Sequence, residues 1–364
     1  MSGITAPARG RLAPLRDIGT GILAVSVKEL RGRMRGRRAF AILTVNLMVV
    51  AGFALMVQSI QEQQAAFAFG GSFNAAAQIG QNLFAALLLL QTLMVLVLAP
   101  AATSGSISLE REKQTLDLLT TTPISSLAIV LGKLLSALTW VFLLLITSIP
   151  VTALVFTFGG VGPEDLLRGY LVLFVTALGL GTVGLFFSAL VKRTQASTVL
   201  NLVLALALTA GTTLVFAFWT ATGQRDDFNA VDATRSSHPP EALMYLNPFV
   251  AQADVICGTE TGFGTFCSIV GGVTNQPVVG FGAAPMKGVE PDVAPGRGVA
   301  PDVAPVQFGI PRDGYWPRSL AAWIVLSIVL IVISVQLVSP TRRWRIRLPR
   351  PRRRPQGETP DADA

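Results

Sequence analysis

"FAALLLLQTLMVLVLAPAATSGSISLEREKQTLDLLTTTPISSLAIVLGKLLSALTWVFLLLI", residues 84–146, sets two apolar runs on either side of a short charged stretch. A bilayer core takes about 20 consecutive apolar residues per helix. A charged side chain at a helix centre costs about 2.5–3.5 kcal/mol on insertion scales, so each run ends where charge resumes. The pattern is span, charged connection, span, and it repeats along the chain. The fold it predicts is an all-α polytopic membrane protein.

Working outward from this stretch, six spans are expected, over 39–60, 83–104, 134–158, 168–190, 196–219 and 319–338. Composition agrees. Of the 364 residues, 51% are hydrophobic and only 14% charged, against about 25% charged in soluble domains. The organisation that follows has residues 1–38 as an N-terminal segment and 39–219 as the first five spans, with a connection at 105–133. A long loop covers 220–316, the last span falls within 317–340, and a basic tail covers 341–364. No cleavable signal peptide is expected, because the first apolar run is too long and follows a polar, Arg-rich stretch.

Orientation follows from Lys and Arg. With six spans both termini share a side, and placing that side in the cytoplasm puts 22 of the 29 Lys/Arg residues inside. Thirteen of the 21 acidic residues then fall outside. The positive-inside rule selects this arrangement. The expected location is the plasma membrane, multi-pass, with both termini cytoplasmic. The net charge of +8 is thus a topology signal rather than a nucleic-acid footprint, and no nucleic-acid partner is expected.

The flanks carry their own patterns. In "GILAVSVKELRGRMRGRRAF" (21–40), Leu23, Val27, Leu30 and Met34 form an apolar stripe beside Lys28, Arg31, Arg35 and Arg38. Such a helix suits the headgroup layer, its arginines on lipid phosphates; a merely basic anchor is the alternative. The loop 220–316 contains "VEPDVAP" and "VAPDVAP", an imperfect Pro-rich repeat that reads as extended linker. "EALMYLNPFVAQADVI" within it is apolar but too short to span, fitting a re-entrant or surface helix. Cys257 and Cys267, the only cysteines, are expected either to form a disulfide on the outside or to remain two free thiols.

Inside the spans, Ser197, Asn201, Ala205, Thr209 and Thr213 recur every fourth residue. Small and hydroxyl-bearing residues at this spacing serve helix packing or line a substrate path. The absence of buried ionisable residues at span centres argues against a charge-relay pump.

The charged connection reads as an elbow. "SLEREKQTLDLL" can form an amphipathic helix with Leu109, Leu116 and Leu119 on one face and Glu110 and Glu112 in its first turn. Thr122 and Pro123 then suit the start of the next helix, which runs through Gly132 and Lys133 into the third span. The Gly-Lys is no phosphate loop. A Walker A motif has Gly where Leu127 stands and Ser or Thr where Leu134 stands.

"SGSISLEREKQTLDLLTTTPISSLAIVLGKLL" resembles the hallmark segment between the second and third spans of the type-2 ABC exporter permeases. These carry a Glu-Arg pair, "TL-x-LL", "TTP" and Gly-Lys-Leu. "VKELRGRMR" resembles the connecting helix that opens them. Within the family the chain looks closest to the branch serving multicopper-enzyme maturation and general export. The resemblance implies a permease subunit, not itself an enzyme, that exports substrate with a dimer of cytoplasmic ABC ATPase subunits. A second permease copy or a paralogue would complete the assembly in the lipid bilayer. No cofactor would be bound by this chain, ATP and Mg belonging to the ATPase. By carry-over, Glu110, Arg111 and Glu112 would contact the ATPase, and Leu116 and Leu119 would pack the elbow. Thr115 and Pro123 belong to the same coupling set, and Gly132 and Lys133 would mark re-entry into the membrane.

Two other readings are available. A non-transporting anchor or sensor could present the 220–316 loop to a partner. An intramembrane hydrolase would need a nucleophile–base or metal motif, and the only histidine, His238, lies in the outer loop.

Overall fold

A computed structural model of the protein describes residues 13–33, 37–67, 75–114, 126–215, 218, 244–257 and 315–338. Met34, Arg35, Thr115, Leu116, Leu119, Pro123, Cys267, most of the 220–316 loop and the basic tail lie outside the described residues. The described chain is helical throughout. In order it forms α1 (Ala13–Arg33), α2 (Arg37–Phe67), α3 (Ala75–Thr103), α4 (Ser108–Glu112) and α5 (Ser126–Ala153). These are followed by α6 (Pro163–Leu190), α7 (Thr194–Leu206), α8 (Pro248–Cys257) and α9 (Tyr315–Val338). Among the described residues, six helices are long and apolar enough to cross a membrane. They fall where hydropathy placed them, and the chain is a multi-pass membrane protein.

The six spans divide into two sets. Helices α3, α5 and α6 have 61–67% of their apolar windows buried, whereas α2, α7 and α9 have 11–22%. The first set is the bundle's interior. The second turns apolar side chains such as Phe40, Met48, Leu55, Val203 and Val325 outward, where lipid tails are the matching solvent.

Lipid is as apolar as leucine, so packing here depends on close approach of backbones rather than on expulsion of water. The glycines of α6 supply that approach. A Cβ on Gly179 would strike the Trp323 ring of α9, and one on Gly184 would strike Thr103 and Asn201. The buried side chains form three successive clusters along the bundle. A central one contains Phe84, Leu87, Leu88, Leu173 and Trp323. One at the elbow end contains Ile107, Leu134, Leu138 and Leu185, and one at the opposite end contains Met244, Ala251, Val255 and Tyr315.

Helix ends follow local chemistry. Helix α6 opens with Pro163 at its first position and Asp165 accepting the Gly162 N–H at 2.9 Å, acidic groups being favoured at a helix start. The turn before it needs Gly159 and Gly160 at φ of +79° and +78°, a region that L side chains rarely adopt. Helix α7 continues through a wide π-turn at Ala207–Gly211.

Candidate functional site

The charged connection is where several elements converge. After α3 the chain makes a tight turn at 104–107 and enters α4. Of the helix expected over 108–119, the described part runs no further than Glu112, and 115–119 lie outside the described residues. Helix α4 ends at Glu112, and Gln114 stands at φ +56°, a left-handed conformation that terminates helices. Leu109, on the leucine face of the elbow, is 43% exposed. The buried residues are the neighbours Ile107 and Ser108.

Ser188 of α6 explains that inward turn. Its hydroxyl oxygen accepts the Ile107 N–H at 2.8 Å and the Ser108 N–H at 2.9 Å. These are two of the donors that a helix start leaves without intrahelical partners. Helix α7 holds the same segment from another side. The Ser197 hydroxyl donates to the Ser104 carbonyl at 2.9 Å, and the Ser104 and Thr198 hydroxyls lie 2.9 Å apart. Glu112 closes the contact by accepting the Thr194 N–H at 2.7 Å, at the first residue of α7. That N–H holds the exposed Glu112 carboxyl below its usual range.

Lys133 of α5 ties the elbow to two more helices. Its ammonium sits 2.6 Å from Glu110 of α4 and 2.7 Å from Glu29 of α1, with its own side chain only 3% exposed. Glu29 also accepts the Ser136 hydroxyl at 2.8 Å. A buried ammonium is tolerated only when paired and hydrogen-bonded, and Lys133 has two carboxylates. Gly132 beside it lets α1 come close, since a Cβ there would lie 2.8 Å from Val25. Elbow, α1, α5, α6 and α7 are therefore fastened together within a few residues of one another.

The sequence-derived site residues are placed as follows. Glu110 and Glu112 lie on the elbow with their carboxylates engaged by Lys133 and Thr194. Arg111 is half-buried, whereas Lys113 and Gln114 are exposed. Gly132 and Lys133 are both buried, inside the junction rather than at its surface. Ser197, Asn201 and Thr209 are buried; Ser197 bonds the Ser104 carbonyl just after α3, and Asn201 lies beside Gly184 of α6. Cys257 is disulfide-bonded, and Cys267 lies outside the described residues. In α1, Leu23 and Val27 face outward at 63% and 42% exposure, beside exposed Lys28 and Arg31. The face docked on α5 instead carries Ile22, Val25 and Glu29.

Residues that sequence reasoning missed are Glu29, Ser136 and Ser188 at the elbow, and Asn247 at the opposite end. Asn247 is fully buried. Its amide nitrogen reaches the Thr209 carbonyl at 3.0 Å and the Thr212 and Thr213 hydroxyls at 3.0 and 2.9 Å. Its oxygen accepts the Phe249 N–H at 3.0 Å. Asn247 thus joins the start of α8 to the π-turn of α7. Gln252 of α8 donates to the Gly169 carbonyl of α6 at 3.0 Å. Helix α8 is seated against α3, α6 and α9.

Comparison with known families adds a match to the model described as ABC-2 family transporter protein, over residues 23–260, more than half of the chain. No curated protein matches. The chain belongs to the ABC-2 transporter family: it is a membrane permease of an ABC transporter, a transport component.

Proposed function

We propose that this permease exports its substrate with energy from a separate cytoplasmic ABC ATPase, and that the elbow receives the ATPase's motion. The observation that carries the proposal is the Lys133 junction. The five-residue α4 is bonded directly to α5, α6 and α7, and through Lys133 to Glu29 of α1. A push on it reaches four helices through charge-assisted and buried hydrogen bonds, which are short and resist deformation. The elbow end faces the cytoplasm in this reading, as the positive-inside rule expects.

The roles within the coupling set follow the burial. Glu110, Lys133 and Glu29 transmit, because their charged groups are spent on one another. The face left for the ATPase is Leu109, Lys113 and Gln114, continuing into the stretch with Thr115, Leu116, Leu119 and Pro123. ATP and Mg are held by the ATPase dimer, and a second permease, identical or paralogous, completes the transporter. Helix α1 would rest its Leu23 and Val27 face in the headgroup layer, with Lys28 and Arg31 toward anionic lipid.

The test reconstitutes the full permease with its ATPase in proteoliposomes. Leu109→Glu combined with Lys113→Glu should abolish co-purification of the ATPase while leaving the permease folded. Glu29→Gln should keep the ATPase bound and weaken the stimulation of its turnover. Normal ATPase binding and stimulation in the double variant would defeat the proposal.

A further inference from the structure

Helix α7 joins the elbow to the opposite end of the bundle. Its first turn is tied to the elbow by the Glu112 carboxylate on the Thr194 N–H and the Ser197 hydroxyl on the Ser104 carbonyl. Roughly 28 Å further along, the Thr212 and Thr213 hydroxyls accept from the Asn247 amide at the start of α8. A rigid rod would pass any push on the elbow straight to α8. This rod has a joint in it, the π-turn at Ala207–Gly211.

Side chains hold the joint in place. A π-turn houses one residue more than a regular turn and misaligns the i→i−4 ladder around it. The Thr212 N–H reaches back five residues, to the Ala207 carbonyl. Hydroxyls serve neighbouring carbonyls: Thr209 donates to Ala205 at 3.0 Å, Thr212 to Leu208 at 2.7 Å and Thr213 to Thr209 at 2.8 Å. The Asn247 amide is a further donor to the Thr209 carbonyl, at 3.0 Å. Asn247 thus bonds the π-turn itself as well as the threonines beyond it, so its grip and the turn's geometry stabilise each other.

Two observations lower the cost of leaving this register. Helix α7 is thinly packed, with 17% of its apolar window buried, so little interlocking resists a slide. Asn201, fully buried beside Thr103 and Gly184, has no protein partner at either end of its amide. A stranded amide weighs against the register that strands it.

We propose that the π-turn and Asn247 form a two-state latch at the end of the bundle opposite the elbow. In the latched state, the one in this structure, α7 carries the π-turn and Asn247 holds the start of α8 to it. In the released state α7 is a regular helix, about 1.5 Å longer. Thr212 and Thr213 have then left Asn247, whose bonds of 3.0 and 2.9 Å do not survive such a slide. Motion of the elbow selects the state, because it moves Thr194 while α8 stays seated on α6 through Gln252 and the Gly169 carbonyl. The assignment deepens the coupling reading and rests on it for the driving force; the latch itself belongs to α7 and α8.

The test places spin labels at Leu214→Cys and Ala321→Cys, exposed positions on α7 and α9, in the full permease in nanodiscs. Regularising the turn swings Leu214 through about a quarter turn. A second distance population should therefore appear, shifted by up to about 8 Å, the chord of that swing at a side-chain radius of roughly 5–6 Å. Without ATPase, Asn247→Ala should raise the ratio of shifted to latched populations about ten-fold or more, the worth of one or more net hydrogen bonds. Thr213→Val, a milder variant that keeps Asn247, should move the ratio the same way by less. Deleting Ala210 removes the extra residue and leaves α7 regular with its threonines still in register. It should hold a single population, in the Asn247→Ala background too. An unchanged distribution in Asn247→Ala and Thr213→Val would overturn the proposal. So would a change that the deletion fails to suppress, which is the mark of α8 simply loosening. Adding the ATPase and ATP to the labelled permease with Asn247 intact should populate the same shifted distance. If it does not, while the ATPase-free variants behave as stated, the latch stands and the coupling reading fails.

Discussion

The two ends of the bundle are fastened by different chemistry. At the elbow end a buried ammonium is shared by two carboxylates from different helices, and a serine oxygen takes two backbone N–H groups. At the opposite end the fasteners are mostly neutral: the Asn247 amide on the π-turn, the Gln252 amide on Gly169, and the Ser319 hydroxyl on the Tyr245 carbonyl at 2.7 Å, with one carboxylate, Asp254 of α8, accepting the Trp316 N–H of α9 at 3.0 Å. An ion pair at that end, Arg168 with Glu164, is 3.4 Å long with Glu164 80% exposed, and exposed pairs contribute little. Charge-assisted bonds are about twice as strong as neutral ones. The elbow end is thus built to move as one piece, whereas the α8 end is closed by bonds that exchange at lower cost.

Three substitutions test this contrast, each read by SDS unfolding titration of the purified permease. Lys133→Met should do the most damage, about 3–5 kcal/mol, because it leaves two carboxylates facing each other without a counter-charge. Asn247→Ala should cost about 2–3 kcal/mol through the buried groups it strands on the π-turn and at the start of α8. A loss there equal to that of Lys133→Met would break the distinction between the ends. Ser188→Ala should cost least, about 1–2 kcal/mol, since it orphans the Ile107 and Ser108 N–H groups but leaves the Lys133 junction in place. If its loss also vanished in the Lys133→Met background, the two elbow fasteners would act as one unit, sharpening the claim of rigidity.

The sequence made the six spans legible because hydropathy is local: each run declares itself without reference to the others. The position of the elbow was legible for the same reason. What it bonds to was not. Glu29 lies 104 positions from Lys133, and nothing nearby marks it as more than one acid in a basic stretch. Glu110 and Glu112 stood out, but hydropathy says only that they avoid the membrane interior. Their inward engagement depends on Lys133 and on the start of α7, both supplied by the fold. That the elbow helix stops at Glu112, with the left-handed Gln114 just after it, was not legible from the leucine spacing. Ser188 carried a faint signal, as a small hydroxyl-bearing residue four positions after Gly184 of α6, yet such spacing does not say which backbone it will serve.

The wide turn in α7 has one more consequence. A helix advances about 100° per residue, so positions four apart drift by roughly 40° at each step and cannot hold a straight line for long. Ser197, Asn201, Ala205, Thr209 and Thr213 are spaced by four throughout, and the first four remain buried. The extra residue housed at Ala207–Gly211 removes about one residue's worth of that drift. It acts on the helix as a frameshift acts on a reading frame: everything downstream is displaced by one position relative to everything upstream. Were α7 to regularise, Thr212 and Thr213 would swing by about a quarter turn, and the groups Asn247 grips would rotate away from it together.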